Sequence, residues 1–221
     1  MQQDRPAEDA PGTNLSAQPP AWWRAVFMTA WLVGLVVSLA VLWRYPRTPG
    51  PAGTLHLTWP AASRLASGDS LPTLIMFAHP RCPSTHASLA DLRAVIGPFT
   101  GRLETIVAFT QPQDAPPDWL ESDTWMDAAS IPGVRVVADE NAREASLFGA
   151  RTSGQVVLYD ARGHLLFSGG LTPARGQAGI TDQTRSLAAL LESETAGNVA
   201  AVSLTRTGGA VYGCPLQVDE P

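Results

Sequence analysis

Apolar and polar positions divide the chain into one long uncharged block near the N-terminus and, beyond it, short apolar runs alternating with helical repeats. The block spans residues 25–43, and at about 1.5 Å rise per residue it just crosses a hydrocarbon core of roughly 30 Å. Trp22, Trp23, Trp43 and Tyr45 bracket it, as interfacial aromatics do. A cleaved signal peptide would have a shorter apolar core and a small-residue cleavage site, whereas Trp-Arg-Tyr-Pro-Arg follows here. The pattern predicts a single transmembrane anchor over residues 22–45. Arg24 precedes the block and Arg44 and Arg47 follow it, so the positive-inside count does not choose an orientation.

After the anchor, residues 46–70 read as a Pro/Gly-rich tether with an edge strand over residues 54–59, which Pro60 ends. Residues 74–78 form a short continuous apolar run, the signature of a central strand covered on both faces. Leu89, Leu92, Val95 and Ile96 recur at helical spacing up to Gly97-Pro98, which predicts a helix over residues 83–96. Further strands are expected over residues 103–109 and 134–138. Helices are expected over 119–129, with Trp119, Leu120 and Trp125 turned inward, and over 139–148, opened by Asp139. Residues 155–160 and 164–168 flank the turn Ala161-Arg-Gly163 and predict a hairpin. A Gly-rich stretch then leads to a last helix from about residue 181 to 191. The order β-α-β-α-β-α-β-β-α argues an α/β sandwich with a mixed central sheet. Residues 1–21, rich in Pro, Gln, Ala and Asp, read as a disordered tail. Residues 71–216 are the expected domain, and 217–221 a short C-terminal tail.

Composition narrows the function. The 221-residue chain is 45% hydrophobic and 16% charged, with a net charge of −5, which gives no electrostatic footprint for nucleic acid. It contains no lysine, which excludes a Schiff-base lysine and a Walker-type phosphate loop. Its two cysteines, Cys82 and Cys214, are too few to define a disulfide framework. Cys82 lies between strand and helix in His-Pro-Arg-Cys-Pro, and Pro83 suits a first helical position. Unpaired amides and the positive end of the dipole at such a helix start favour a thiolate. Arg81 adds positive charge. His86, at i+4, faces the same side of the helix and can take or share the thiol proton, and His79 at the strand end can do the same.

Strand, cysteine at a helix start, crossover, hairpin with Asp-x-x-Gly and closing helix together resemble the thioredoxin-like superfamily. Three stretches carry a finer likeness: Phe77-Ala-His-Pro-Arg-Cys82-Pro, Leu158 to Gly170 with the Arg175-Gly-Gln-Ala-Gly179 loop, and Tyr212-Gly-Cys214-Pro. Their wording is similar to RedB-type membrane-anchored bacterial proteins. The resemblance covers roughly residues 71–216. It implies a thioredoxin-like three-layer sandwich held at the inner membrane by one N-terminal helix, with the domain on the periplasmic side. It also implies thiol redox chemistry with a protein thiol or disulfide partner and no cofactor.

The departures from that superfamily are specific. A dithiol oxidoreductase has Cys-x-x-Cys, and here the fourth position is Thr85. The cis-proline position aligns with Gly154 in Thr152-Ser-Gly154. A peroxiredoxin carries Thr three residues before its cysteine, where this chain has His79. Cys82 therefore lacks a local resolving thiol, and Cys214 is the natural candidate for one. Three roles stay open for Cys214: resolving cysteine, half of a permanent disulfide, or an unrelated thiol. Geometry decides among them. A second class of function is copper(I) or zinc handling by Cys82, His86 and Cys214, which supply thiolate and imidazole donors. A third is a non-catalytic interaction module that keeps the fold.

Overall fold

The computed structural model describes residues 21–65, 70–196, 206–207 and 209–216. The expected tails at 1–21 and 217–221 lie outside them, apart from Ala21, which is the first residue of a helix. The chain divides into two units, one ending at Trp43 and the other beginning at Arg44. The first contains helix α1, Ala21–Arg44, long and apolar enough to cross a membrane. Its Val, Leu, Phe and Trp side chains are exposed all round.

The second unit is built on strand β1, Thr73–Ala78, every residue of which is buried. Helix α2, Thr85–Ile96, follows and leads to β2, Glu104–Gln111, which pairs parallel with β1. Helix α3, Asp123–Ala129, leads to β3, Val134–Glu140, parallel to β2. After the short α4, Arg143–Leu147, the hairpin of β4, Gln155–Tyr159, and β5, Leu165–Gly169, closes on the other edge of β1, with β4 antiparallel to it. Helix α5, Asp182–Thr195, and a two-residue β6, Arg206–Thr207, complete the unit. The strand order is β3-β2-β1-β4-β5-β6, so β1 lies inside the sheet, and the chain leaves it at Ala78 for the turn that carries Cys82.

Alternation along the strands sends apolar residues to both faces. Leu74, Met76, Val107 and Phe109 meet α2, α3 and α5 through Leu89, Leu92, Ala128 and Leu187. Ile75, Phe77, Ile106 and Val157 meet Ala145, Phe148 and Leu216 on the opposite face. The three layers follow from this two-sided burial.

Several boundaries differ from those the sequence predicts. Residues 54–59 make one antiparallel bridge, Thr58 to His164, in place of a strand. Trp119 and Leu120 precede α3 in a turn, and both are half-buried. β3 runs on through Asp139, and α4 starts only at Arg143, because Asn141 and Ala142 take left-handed conformations. Asp139 still caps that helix from a distance, its carboxylate accepting the N–H groups of Glu144 (2.7 Å) and Ala145 (2.9 Å). The tether is also packed: Gly50 N–H donates to the Val211 carbonyl, and the Thr152 hydroxyl to that of Pro51.

Candidate functional site

Cys82 sits in the turn that joins β1 to α2. Its N–H donates to the His79 carbonyl, and its own carbonyl accepts from Thr85 N–H, the first residue of the helix. The residue is only 2% exposed. Thr85 and Ser153 close the floor of the site. Ser153 Oγ accepts the His79 N–H at 2.9 Å and lies 3.1 Å from the Thr85 hydroxyl, which also reaches the His79 carbonyl. Ser153 stands in the Thr152-Ser-Gly154 turn beside the cysteine. Gly154 has φ +90° there, and a Cβ on it would fall 2.6 Å from Ser88 Oγ, so only glycine fits.

Cys214 arrives from the far end of the chain. Its N–H donates to Cys82 Sγ at 3.4 Å, and the two side chains are hydrogen-bonded, with both cysteines in the free thiol state. The tail that carries it runs antiparallel to the Thr152-Ser-Gly154 turn. The Cys214 carbonyl accepts from Ser153 N–H at 2.8 Å, Leu216 N–H donates to the Arg151 carbonyl at 3.0 Å, and Pro215 bridges to Thr152. Arg175 fastens the same segment: its guanidinium donates to the carbonyls of Gly213 and Thr48 and lies over the Tyr45 ring. Arg175 is thus a structural clamp on this segment.

Electrostatics split the two thiols. Burial pushes Cys82 up, but hydrogen bonds from the Cys214 thiol and N–H, the Ser84 N–H and the Thr85 hydroxyl outweigh it and hold the thiol below its ordinary value. Burial, the hydrogen bond with Cys82 and the Cys82 charge push Cys214 up to about 12, against a small downward pull from Arg175. Of the two thiols Cys82 is therefore the more acidic, and Cys214 is the one that keeps its proton longer as pH rises.

The two histidines occupy other positions. His86 gives its Nδ1 to Asp127 Oδ2 at 2.8 Å, and His79 Nδ1 accepts the Arg81 N–H while its ring packs edge-on to Trp119. Burial, then the Arg81 charge, lowers the His79 pKa. Arg81 itself lies over the Trp119 ring and 3.9 Å from Asp118. Among the described residues no three His, Cys, Asp or Glu side chains gather to hold a metal ion, so Cys82, His86 and Cys214 do not form one ligand set here. A cleft of about 370 Å³ opens beside Cys82, lined by Arg81, His86, Glu121, Ser122 and Asp123 among others.

Sequence reasoning missed Ser153 and Gly213, and it marked Arg175 only as a charge in a Gly-rich loop, without its bonds to Gly213 and Thr48. The one signal for the first was its place beside Gly154 in the turn that takes the cis-proline position. No family model and no curated protein matches this chain. Among solved structures it is similar to an uncharacterised conserved protein from Geobacillus kaustophilus, 16% identical with a TM-score of 0.56, over 77% of this chain and 94% of that one. A hypothetical protein from Sinorhizobium meliloti 1021 is 22% identical with a TM-score of 0.56, over 78% of this chain and 96% of that one. A thioredoxin-like protein in its oxidised form is 16% identical with a TM-score of 0.43, over 66% of this chain and 96% of that one. With a cysteine leaving the interior strand β1 and helices on both faces of a mixed sheet, the fold is a thioredoxin-like three-layer sandwich.

Proposed function

We propose that this protein is a membrane-anchored thiol–disulfide exchange protein in which Cys82 attacks and Cys214 resolves. The observation that carries the reading is the seating of Cys214 on Cys82, N–H to sulfur at 3.4 Å, in an arrangement that favours the Cys82 thiolate. In the first step the Cys82 thiolate attacks one sulfur of a partner's disulfide. The mixed disulfide forms, the partner's S–S bond breaks, and the departing partner thiolate takes a proton from water. Bonding to the partner removes the Cys82 charge, so two of the three causes that raise Cys214 vanish and burial alone still opposes its ionisation. Cys214 then loses its proton to water and attacks Cys82 Sγ. The Cys82–Cys214 disulfide forms, the mixed disulfide breaks, and the second partner thiolate leaves. Two electrons have moved from the cysteine pair to the partner, and an external dithiol of lower potential returns them by the same exchange.

In this reading Thr85 takes the place of a local resolving cysteine and serves as a hydrogen-bond donor to the thiolate. His79 and His86 are positioning residues, the first by joining the Thr85 and Ser153 network through its backbone and the second by shaping the cleft wall. Helix α1 anchors the domain at the inner membrane facing the periplasm, as the likeness to RedB-type proteins implies and as disulfide chemistry requires. Treating the purified full chain with an aromatic disulfide reagent and following the products by mass spectrometry tests the roles. The wild type is expected to release both reagent thiols and form the internal disulfide, Cys214→Ser to stop at an adduct on Cys82, and Cys82→Ser to react far more slowly. Equal reaction of Cys82→Ser and wild type overturns the proposal.

A further inference from the structure

Arg175 lies in the loop between β5 and α5, and its guanidinium reaches the thiol site through a single peptide group. One arm donates to the Gly213 carbonyl. The N–H of that same Gly213–Cys214 peptide donates to Cys82 Sγ at 3.4 Å. Cation, carbonyl, N–H and sulfur thus form one continuous chain of hydrogen bonds. Gly213 is buried, and its neighbourhood is fixed: a Cβ on it would lie 2.0 Å from the Ser153 carbonyl oxygen, and Ser153 N–H donates to the Cys214 carbonyl at 2.8 Å. A cation on the oxygen of a peptide polarises it and makes its N–H a stronger donor, most of all where water is excluded. Arg175 is itself held by the first residues beyond α1. Its backbone N–H donates to the Pro46 carbonyl at 2.9 Å, its Nε to the Thr48 carbonyl at 3.2 Å, and its guanidinium lies 5.5 Å from the centre of the Tyr45 ring. Among the described residues the arginine–carboxylate pairs involve Arg64, Arg81, Arg135, Arg143 and Arg185, which leaves the Arg175 charge to its carbonyl partners.

We propose that Arg175 is a positioning residue for the reactive thiol: its charge, acting through the Gly213–Cys214 peptide, stabilises the sulfur anion of Cys82, and residues 45–48 hold the guanidinium where it does so. This rests on the reading of Cys82 as the attacking thiolate and names a charge that favours the anion without touching it. The relay runs through the backbone, so it survives removal of the Cys214 side chain. The segment next to the anchor becomes part of the site by this route, although none of its residues contacts Cys82. The other titratable and charged groups near Cys82 are His79 and Arg81 in its own turn, His86 on α2 with its partner Asp127 on α3, Glu121 and Asp123 on the cleft wall, and Cys214 itself. Substitution of Arg175 leaves all of them in place.

The test compares the full chain with Arg175→Lys and Arg175→Gln, each with Cys214 present and in a Cys214→Ala background. Iodoacetamide alkylation of Cys82 is followed across pH by mass spectrometry. The lysine variant keeps a cation for the Gly213 carbonyl, and the glutamine variant keeps a neutral donor. The Cys82 midpoint is expected to rise from wild type to the lysine variant and again to the glutamine variant. The last step should be at least about half a pH unit, roughly threefold in thiolate fraction at neutral pH. The same order is expected in the Cys214→Ala background, where the peptide N–H remains. A clamp that only fastens the chain alters access, and with it the limiting rate, but does not rank the midpoints by charge. Tyr45→Leu removes the ring beside the guanidinium; it serves if neither Arg175 variant folds, and it should raise the midpoint in the same direction. Equal midpoints for the lysine and glutamine variants, a wild-type midpoint in the glutamine variant, or, where it stands in for them, an unchanged midpoint in Tyr45→Leu overturns the inference. With a lowered wild-type midpoint, any of these leaves the redox reading standing. A wild-type midpoint at the free-thiol reference of about 8.5 overturns that reading and the inference together.

Discussion

At the scale of single residues, the site turns a thiol that burial should keep protonated into the more acidic of a pair. Desolvation opposes the Cys82 thiolate, and four hydrogen bonds from Cys214, Ser84 and Thr85 reverse the balance. Thiolate fraction rises as pH passes through the lowered value, so Cys82 alkylation by iodoacetamide should show its midpoint below the free-thiol reference of about 8.5. Cys214, held up to about 12 while Cys82 is free, should react only after Cys82 has been blocked. Cys214→Ala removes one donor and Thr85→Val another, and each should move the midpoint upward, measurable as several-fold slower alkylation at neutral pH. A midpoint unchanged in both variants would mean that these donors do not hold the thiolate. Cys82 was legible in the sequence because a buried strand precedes it and helical spacing follows it, although Pro83, expected as the first helical residue, lies in the turn and α2 starts only at Thr85 behind Ser84. The contact with Cys214 was not, because the two are separated by 132 positions and nothing in the spacing encodes distance. Ser153 and Arg175 were hidden for a different reason: their roles reside in bonds to backbone groups, which leave no pattern of side-chain types.

At the scale of elements, the strands were the most readable, since β1, β2 and the hairpin are apolar runs bounded by Gly, Pro or Asp. Helix ends were less so. Asp139 reads as an N-cap, yet it lies within β3 and reaches α4 across Asn141 and Ala142 in left-handed conformation. The buried carboxylate accepts two N–H groups at the start of that helix, which also carries Glu144, the acceptor for the Ser63 hydroxyl and the Arg64 N–H. Loss of this distant cap should therefore loosen the loop over the lower core face as well as the helix. Asp139→Ala is expected to lower stability by about 1–2 kcal/mol, the usual cost of removing a cap, read as an earlier urea midpoint with an unchanged slope. An unchanged midpoint would show that water satisfies these amides equally well. The tail was the element least open to sequence reasoning: Tyr212 to Leu216 has almost no strand pattern, and its pairing is dictated by the turn it meets.

At the scale of the whole molecule, two units place different demands on their surroundings. The second buries its apolar residues on both faces of a sheet, whereas α1 exposes nearly all of its own along 24 residues. At about 1.5 Å per residue such a helix is roughly 36 Å long, enough to cross a bilayer with modest tilt. Its fully apolar circumference has no polar stripe on which to lie at an interface, which favours spanning over surface binding. This much was readable from the sequence, because charge-free length is a property of composition; the side on which the domain lies is not, because arginines flank both ends. The proposed thiol exchange would call for the oxidising side. In cells producing the full chain, α1 is expected to keep the protein in the membrane fraction through an alkaline wash, and deletion of residues 21–44 to release it. Cys82 is too buried to report its side quickly, so a single exposed cysteine at Ser130 in a Cys82→Ser, Cys214→Ser background provides the probe. Labelling of that cysteine by a membrane-impermeant maleimide in intact spheroplasts places the domain outside the cytoplasm. Labelling only after lysis would put Cys82 among the reducing pools of the cytosol, where a thiolate of this kind encounters few disulfides to attack.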